Sequence, residues 1–355
     1  MKYLNDLMVS RRGMLAGTAG LGVAAALAGC TGGTAPAGST AGSAAAGSSY
    51  EPVTLRVAYM PNLGSASSHF TAIDQGYFEE VGITVEPQQF EAGPAEITAM
   101  QSGDIDIAQI GHGAHSLCIN GDAVVFQFDQ LSQADAVVCD KSRVASAEEL
   151  AGKTVGVSSG TSSEIILQFV LEDAGLTMDD INAVEMQVSG MTTALIPGQI
   201  DAAATWSPNT VTIEQELGEN YLVLGTNIDY TDRAAFPSSF VCLPDYAEEN
   251  AEVLARFGAA IEKAQVYRAE NIEEVATLLA DELGVPEDTL QQATGEGDWQ
   301  GAADAIGDNE TILGYYEAQQ KVFLDNGTVE AEVPVEDYVK TDVMDQAYEI
   351  YQTIA

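Results

Sequence analysis

From residue 53 onward, short apolar segments rich in β-branched residues alternate with longer segments whose apolar residues recur at helical spacing. The short segments predict strands and the longer segments predict helices. The first series of strands is predicted over 53–60, 83–90, 105–110, 124–128 and 136–138, with helices over 67–81, 94–102 and 113–120. Such alternation is typical of α/β layers.

A second series repeats this order after Ser146, where Glu149 three residues later predicts a capping box at a helix start. Its strands are predicted over 154–157, 184–188, 202–205 and 221–224, with helices over 162–174, 191–196 and 209–217. From residue 247 the pattern changes to long amphipathic helices, predicted over 247–270, 272–283, 309–326 and 342–353. The pattern therefore predicts two α/β lobes with additional C-terminal helices.

The first 29 residues have the order of an export signal. Lys2, Arg11 and Arg12 precede an uncharged stretch, 13–29, that is too short and too weakly apolar for a good membrane span. Residues 10–15 (SRRGML) resemble a twin-arginine export signal, and an incidental arginine pair in a general secretory signal is the alternative. We therefore predict a signal peptide over 1–29.

Residues 27–30 (LAGC) resemble the lipobox of bacterial lipoproteins, in which the cysteine becomes the lipidated first residue. The resemblance assigns lipidation to Cys30. Residues 31–49 carry no charge and no large apolar side chain, so we expect 30–49 to be a flexible tether. The acyl chains of such lipoproteins would hold the protein at the extracytoplasmic face of the cell membrane.

The composition indicates a folded protein with a very acidic surface. The 355 residues include 54 Asp and Glu against 13 Lys and Arg, a formal net charge of -41, while 46% of the residues are hydrophobic. That apolar fraction excludes a disordered acidic chain. The charge repels phosphate backbones, so nucleic acid is excluded as a partner class.

A series of short motifs resembles the extracytoplasmic solute-binding proteins of the nitrate, sulfonate and taurine import family, which also includes binding proteins for thiamine-precursor pyrimidines. The resemblance runs from about residue 54 to the C-terminal helices and depends on the order of the motifs behind the lipobox. The motifs are RVAYMP at 56–61, QGYF at 75–78, SGDIDIA at 102–108, LAGKTVGV at 150–157, GQIDA at 198–202, WSP at 206–208 and PSSFV at 237–241.

The resemblance implies a type 2 periplasmic-binding-protein fold, in which two α/β lobes close on a ligand about two crossover segments. We place the crossovers near 136–141 and 236–243. Lobe 1 then comprises 50–138 and 240–355, with the C-terminal helices packed on it, and lobe 2 comprises 139–239.

The resemblance also implies a function. Such proteins are monomers that deliver a small solute to the permease and ATPase subunits of an ABC importer and are not enzymes. The chain contains no Walker-type phosphate loop, so nucleotide hydrolysis would belong to a partner. A metal-binding protein and a pyrimidine-forming enzyme of the same fold are the less favoured alternatives, and no cofactor is implied.

The strongest candidate for ligand binding is the polar loop between the strand at 154–157 and the following helix. Ser158, Gly160, Thr161 and Ser162 combine hydroxyl groups, a glycine that permits close backbone approach, and the free N–H groups of a helix start. This combination suits an anion or another polar group. A helix cap that needs only one of these hydroxyls is the alternative.

The three histidines of the chain follow predicted strands of lobe 1. Gly111 and His112 open the loop after the strand at 105–110, His115 follows three residues later, and His69 lies beyond the first strand. Because these loops are expected at one cleft, His69 and His112 are candidate ligand contacts. Binding of Zn²⁺ by three imidazoles and simple helix capping are the alternatives.

Three further residues are candidates because of their positions. Trp206 ends a strand, where ligands of open α/β sheets bind. Asn62 lies in the polar loop after the first strand, and Ser238 flanks the return crossover. A buried core position for Trp206 and a solvated loop for Asn62 are the alternatives.

The distribution of basic residues bears on the solute. No Lys or Arg lies between Arg56 and Lys141 or between Lys153 and Arg233. A small anion would therefore depend on backbone N–H groups and hydroxyls, within the field of a very acidic protein. We expect a zwitterionic or neutral solute, with taurine-like sulfonates first and a thiamine-precursor pyrimidine second.

Three cysteines remain besides Cys30. Cys139 and Cys242 lie in the two crossover segments, which run side by side in the fold that the resemblance implies, so a disulfide between them is a hypothesis. Three buried free thiols, including Cys118, are the alternative.

Overall fold

The computed structural model of the chain describes residues 50–355. The predicted signal peptide over 1–29, the tether over 30–49 and the lipidation site Cys30 lie outside the described residues. Between residues 50 and 355, no helix combines the length and the apolar character that crossing a membrane requires.

The described residues form ten strands and fifteen α-helices, which confirms the predicted α/β class. The strands are β1 (Val53–Tyr59), β2 (Ile83–Gln89), β3 (Ile107–Ile110), β4 (Val124–Leu131), β5 (Asp135–Asp140), β6 (Thr154–Val157), β7 (Asn182–Glu185), β8 (Ala202–Trp206), β9 (Tyr221–Thr226) and β10 (Pro237–Cys242).

The helices vary from single turns to the 20-residue α9. They are α1 (Leu63–Asp74), α2 (Tyr77–Glu80), α3 (Gly93–Ser102), α4 (His115–Ile119), α5 (Ser162–Asp173), α6 (Val188–Leu195), α7 (Asn209–Leu217), α8 (Pro244–Glu249), α9 (Ala251–Glu270), α10 (Ile272–Leu283), α11 (Glu287–Gln292), α12 (Trp299–Asp304), α13 (Asn309–Asp325), α14 (Val335–Tyr338) and α15 (Thr341–Ile354).

The strands form two five-stranded sheets of the same plan. The first has the order β2-β1-β3-β10-β4 and the second has the order β7-β6-β8-β5-β9. In each sheet the first three strands are parallel, and the fourth is antiparallel to both of its neighbours. The parallel strands point their carboxyl ends at one edge of the sheet, where the polar loops follow.

The chain passes between the sheets twice, from β4 to β5 and from β9 back to β10. The two passages lie side by side, because the Ser132 N–H donates to the Phe236 carbonyl at 2.8 Å. The prediction placed 136–138 in lobe 1, whereas the whole of β5 belongs to the second sheet. The apolar sequence of β5 is compatible with either sheet. Its pairing with β8 and β9 places it in the second sheet. The crossovers predicted near 136–141 and 236–243 were also wrong, because these segments form β5 and β10, and residues 237–239, which the prediction assigned to lobe 2, belong to the first sheet. The rest of the division into two lobes stays a prediction.

Part of the apolar core is shared by the two sheets, since one buried cluster contains Val125 and Phe128 of β4 together with Val137 of β5 and Val155 of β6. On the first sheet, Phe257 of α9 packs edge-on against Phe126 and Phe240 with ring centroids 5.8 and 5.2 Å apart. The contacts of α9, α12 and α15 with β4 confirm that C-terminal helices cover this sheet. On the second sheet, Ile166 and Val170 of α5 lie in the buried core.

Several predicted boundaries were wrong for local reasons. The helix predicted over 67–81 is two helices, because Gly76 adopts a left-handed φ of 74° between them. The capping box at Ser146 is absent. Its side chain caps nothing, Glu149 accepts instead from the Ala145 N–H at 2.9 Å, and a short 3-10 turn follows over 147–150. Strand β10 was not predicted as a strand.

The three cysteines within the described residues are free and buried. Cys139 lies in β5 of the second sheet and Cys242 in β10 of the first sheet. The hypothesis of a disulfide between them is therefore wrong, and the alternative of three buried thiols holds.

Candidate functional site

A cavity of about 50 Å³ lies between the two sheets, and loops and strand ends of both sheets form its wall. Seven of the ten candidate residues line it: Asn62, Gly111, Gly160, Thr161, Ser162, Trp206 and Ser238. The remaining wall residues are Met60, Gly64, Ser65, Gly93, Pro94, Gln109, Gly113, Ala114, Gln130, Ser132, Ala134 and Asp135. The structure thus brings together most of the residues that the sequence indicated.

On the side of the first sheet, backbone turns and amide side chains form the wall. Asn62 caps α1, with its side-chain oxygen accepting from the Ser65 N–H at 2.8 Å. Gln130 donates to the Gly64 carbonyl at 3.2 Å, and Gln109 donates to Asp129 at 2.9 Å. The sequence reasoning missed both glutamines. The available signals were the lone polar residue of the apolar strand β3 and the three polar residues Gln127, Asp129 and Gln130 within β4.

A buried ion pair lies behind this wall. Arg268 and Asp129 are fully buried and approach each other at 3.0 Å. Arg268 also donates to the Ser67 hydroxyl at 2.9 Å, and its guanidinium lies 4.8 Å from the ring centre of Trp299. Arg268 does not line the cavity. Its charge is engaged by Asp129, so a solute in the cavity has no direct contact with this cation.

On the side of the second sheet, Trp206 and Asp135 are partners in the register of β8 and β5. Residues directly opposite each other on antiparallel strands project from the same face of a sheet. Both side chains line the cavity. Trp206 also forms a small apolar cluster with Met60 and Val188, which come from opposite sides of the cavity.

Asp135 is the one charged residue of the cavity wall among the described residues, and no lysine, arginine or histidine of that part of the chain lines it. Its carboxylate accepts from Ser162 at 2.7 Å, Asn227 at 3.2 Å and Ser132 at 3.4 Å. Burial raises the pKa of Asp135 to about 6, and these three donors oppose part of that rise. The sequence reasoning missed Asp135 because it precedes the predicted strand at 136–138.

The loop over 158–162 differs from the predicted anion site. The Gly160 N–H donates to Glu164 at 2.8 Å, and the Ser159 N–H donates to Glu185 at 3.2 Å, so carboxylates of the chain already occupy these amides. Ser158 lines a separate cavity beside Glu185 and not the one described above. The start of α5 stays available, because Thr161 provides no side-chain cap.

The loops of the two sides touch each other across the mouth of the cavity. A β-carbon on Gly113 would lie 2.3 Å from the carbonyl carbon of Thr161, and one on Gly160 would lie 3.3 Å from the Pro94 ring. Gly160 has a φ of 74°, a conformation that disfavours other residues. The two sides are therefore closed over the cavity, and glycines permit the approach.

Two of the candidate histidines lie outside the cavity, against the prediction. His69 is fully buried, with its ring 4.6 Å from that of Phe70. His112 is fully buried between Phe236 and Phe323, and Gln319 contacts its Nδ1 at 3.1 Å. Burial lowers the pKa of each to about 3. A position after a strand does not decide where a side chain points, and these two point into the core.

His115 is also part of the core. Its Nδ1 lies 3.0 Å from the Gly111 carbonyl and its Nε2 lies 3.0 Å from the Ser239 hydroxyl. Burial lowers the pKa of His115 to about 4. Across residues 50–355, no group of three His, Cys, Asp or Glu side chains is arranged to hold a metal ion. The three histidines are therefore neutral side chains buried on the side of the first sheet.

The comparison with protein families shows to which family the chain belongs. The family model described as "NMT1/THI5 like" matches residues 66–275, more than half of the chain. The chain belongs to this family. This NMT1/THI5-like protein is 27% identical over 292 residues to a putative binding protein of Brucella abortus, covering 82% of this chain and 91% of the relative.

Two further matches agree with the family. The taurine-binding periplasmic protein of Escherichia coli is 27% identical over 252 residues, covering 67% of this chain and 75% of the relative. The crystal structure of the periplasmic nitrate-binding protein of Synechocystis PCC 6803 matches with a TM-score of 0.71 at 13% identity, covering 85% of this chain and 90% of that protein. The structural match confirms the periplasmic-binding-protein fold for this NMT1/THI5-like chain.

Proposed function

We propose that this chain is the lipid-anchored, extracytoplasmic solute-binding subunit of an ABC importer, without catalytic activity of its own. The observation that carries the proposal is a cavity walled by both sheets, with Gly113 and Thr161 in contact across its mouth. A solute that contacts both sides stabilises this closed arrangement over an open one. A permease that recognises the closed form then receives loaded protein.

A small sulfonate of the taurine type is our first choice of solute. The start of α5 lies at the cavity through Ser162, and its free first-turn N–H groups suit a sulfonate oxygen. No cation of the described chain lines the cavity, which disfavours an inorganic anion such as nitrate or bicarbonate. A relative that is named as taurine-binding supports the same choice.

A thiamine-precursor pyrimidine is the second candidate. Trp206 offers an indole ring beside the amide groups of Gln109 and Gln130, and a flat heterocycle with amino groups suits such a wall. Both candidates place the solute against Trp206.

Changes at tryptophan test where the solute binds. The chain has two tryptophans, Trp206 in the cavity wall and Trp299 outside it. Binding to the full chain is measured by calorimetry and by tryptophan fluorescence. We expect Trp206→Leu to lower the affinity by about tenfold or more and Trp206→Phe to abolish a fluorescence change that Trp299→Phe retains. Equal effects at the two positions would contradict a site between the sheets.

The membrane part of the proposal concerns residues outside the described structure. We propose that the signal peptide over 1–29 is removed and that a lipid attached to Cys30 anchors the protein. Residues 30–49 then tether the binding domain to the membrane. Acylation contributes about 0.8 kcal/mol per buried methylene, so two or three chains give stable anchoring. Cys30→Ala should move the protein from the membrane fraction to the soluble extracytoplasmic fraction. Continued membrane association of that variant would contradict lipidation at Cys30.

A further inference from the structure

We propose that Asp135 binds a protonated amino group of the solute, so that the site selects small ammonium compounds over sulfonates and inorganic anions that lack such a group. This inference rests on the proposed function and adds a requirement on the chemistry of the solute. It does not require that the solute carry a sulfonate.

The first argument is that the Asp135 carboxylate has neutral partners only. Ser162, Asn227 and Ser132 donate three hydrogen bonds to it, and a carboxylate has about four acceptor positions. No ion pair of Asp135 with a lysine or arginine is found within residues 50–355. A buried negative charge without a cation is costly. The ammonium group of a ligand would fit the remaining acceptor position of the Asp135 carboxylate.

The contrast with Asp129 strengthens this argument. Asp129 is also buried, but the chain supplies Arg268 as its cation at 3.0 Å. Asp129 lies behind the wall, whereas Asp135 lines the cavity. The chain therefore neutralises the carboxylate that the solute does not reach and leaves the accessible one without a partner cation.

The neighbourhood of Asp135 also suits an ammonium group. Trp206 is its direct partner across β5 and β8, and both side chains line the cavity. The face of an indole ring attracts a cation, and the attraction grows when water is excluded. Trp206 is 8% exposed and Asp135 is 3% exposed, so both would act on the solute in a largely dry environment.

A purely structural role of Asp135 makes a different prediction. Its bonds to Ser132 and Asn227 join the two passages between the sheets, so the carboxylate also stabilises the hinge region. If Asp135 acts only at the hinge, its replacement should weaken the binding of every solute equally. If Asp135 recognises an amino group, its replacement should change the selectivity between solutes that differ in that group alone.

The experiment compares three two-carbon compounds and an aminopyrimidine by calorimetry with the purified full chain at pH 7.5. Taurine carries an ammonium and a sulfonate, isethionate replaces the ammonium by a hydroxyl, and ethanolamine lacks the sulfonate. We expect taurine, ethanolamine or both to bind at least about 30-fold more tightly than isethionate. Asp135→Asn preserves the shape of the side chain, and should remove that preference. Glu332→Gln, at an exposed carboxylate, should leave it unchanged.

Each other outcome separates this inference from the proposed function. Binding of isethionate as tight as that of taurine would overturn the role of Asp135 and leave the solute-binding function intact. Equal loss of all ligands in Asp135→Asn, together with a lower unfolding midpoint, would assign the residue to the hinge alone. Binding of a pyrimidine but of neither amine would overturn the inference and keep the function. No binding of any of these solute classes would contradict both.

Discussion

Gly113 and Thr161 lie on opposite sides of the cavity and approach so closely that a β-carbon on Gly113 would lie 2.3 Å from the Thr161 carbonyl carbon. Backbone atoms cannot move aside as the end of a flexible side chain can, so a methyl group at residue 113 would push the two sides apart. The closed arrangement thus depends on glycine at this position.

Gly113→Ala should therefore weaken solute binding without unfolding the protein. We expect the affinity to fall by about tenfold or more, because the closed form loses its contact across the mouth of the cavity. Gly190→Ala is the matched control, since a β-carbon on Gly190 of α6 meets no atom within 4 Å. Calorimetry on both variants measures the effect. Unchanged affinity in Gly113→Ala would show that closure at this contact is not needed for binding.

Binding of an ammonium solute should weaken as the pH falls below about 6. Asp135 has its pKa raised to about 6 by burial, so it becomes neutral below that value, while an alkylammonium group stays charged. The expected affinity at pH 5 is about tenfold lower than at pH 7. Calorimetry across this range measures the profile.

Glu296 provides the control for this profile. Burial raises the pKa of Glu296 to about 7, the negative charge of Asp135 adds to the rise, and a hydrogen bond from Ser207 opposes it. Glu296→Gln should retain the loss of affinity below pH 6, whereas Asp135→Asn should abolish it. A flat profile in the wild-type chain, or one that disappears in Glu296→Gln alone, would contradict the assignment to Asp135.

The buried histidines should destabilise the protein in acid. His69, His112 and His115 have folded-state pKa values of about 3 to 4, below the value of 6.5 for an unfolded chain. A lowered pKa gives stability above pH 6.5 that is lost as the pH falls. At pH 5 each histidine should lower the free energy of unfolding by about 2 kcal/mol, because the unfolded state binds a proton that the folded state does not.

A histidine variant isolates this effect from that of the carboxylates. The raised pKa values of Asp135 and Glu262 act in the opposite sense, since they add stability as the pH falls. His69→Leu should therefore lose about 2 kcal/mol less than the wild-type chain between pH 7 and pH 5. Urea unfolding at the two pH values gives the difference. Identical losses in the two proteins would show that His69 does not remain neutral in the fold.

The acidic surface should make the fold depend on salt. A formal charge of -41 opposes compaction through self-repulsion, and added salt screens it. We expect the unfolding midpoint to rise by several degrees between about 0.05 and 1 M NaCl. An uncharged osmolyte serves as the control for general solvent effects. A midpoint that is constant or falls with salt would contradict a destabilising role of the net charge.

The sequence predicted the sheets well where strands are continuous apolar segments. β1, β6 and β8 were found because apolar and β-branched residues dominate their sequences. β10 (Pro237–Cys242) was missed because it contains Pro237 and two serines, and the buried setting of Ser238 and Ser239 comes only from their neighbours in the sheet. The same apolar pattern did not show that β5 joins the second sheet.

The site was predictable as a set of loops but not as a set of side chains. The carboxyl ends of the strands identified Asn62, Thr161 and Trp206 as wall residues. The direction of a side chain depends on packing, which is why His112 proved to belong to the core. Asp135 was missed because it precedes the strand predicted over 136–138, and because donors that lie far away along the chain, such as Asn227, are not evident from the sequence.

The central claim is that the cavity between the two sheets binds a small organic solute. The most direct test is thermal unfolding of the full chain with taurine, isethionate, ethanolamine, nitrate, bicarbonate and aminopyrimidines. A solute at 100 times its dissociation constant stabilises the folded state by about 2.7 kcal/mol, which should raise the midpoint by several degrees. We predict that solutes with a protonated amino group, taurine or ethanolamine, raise the midpoint. The absence of any rise across all of these classes would contradict the claim.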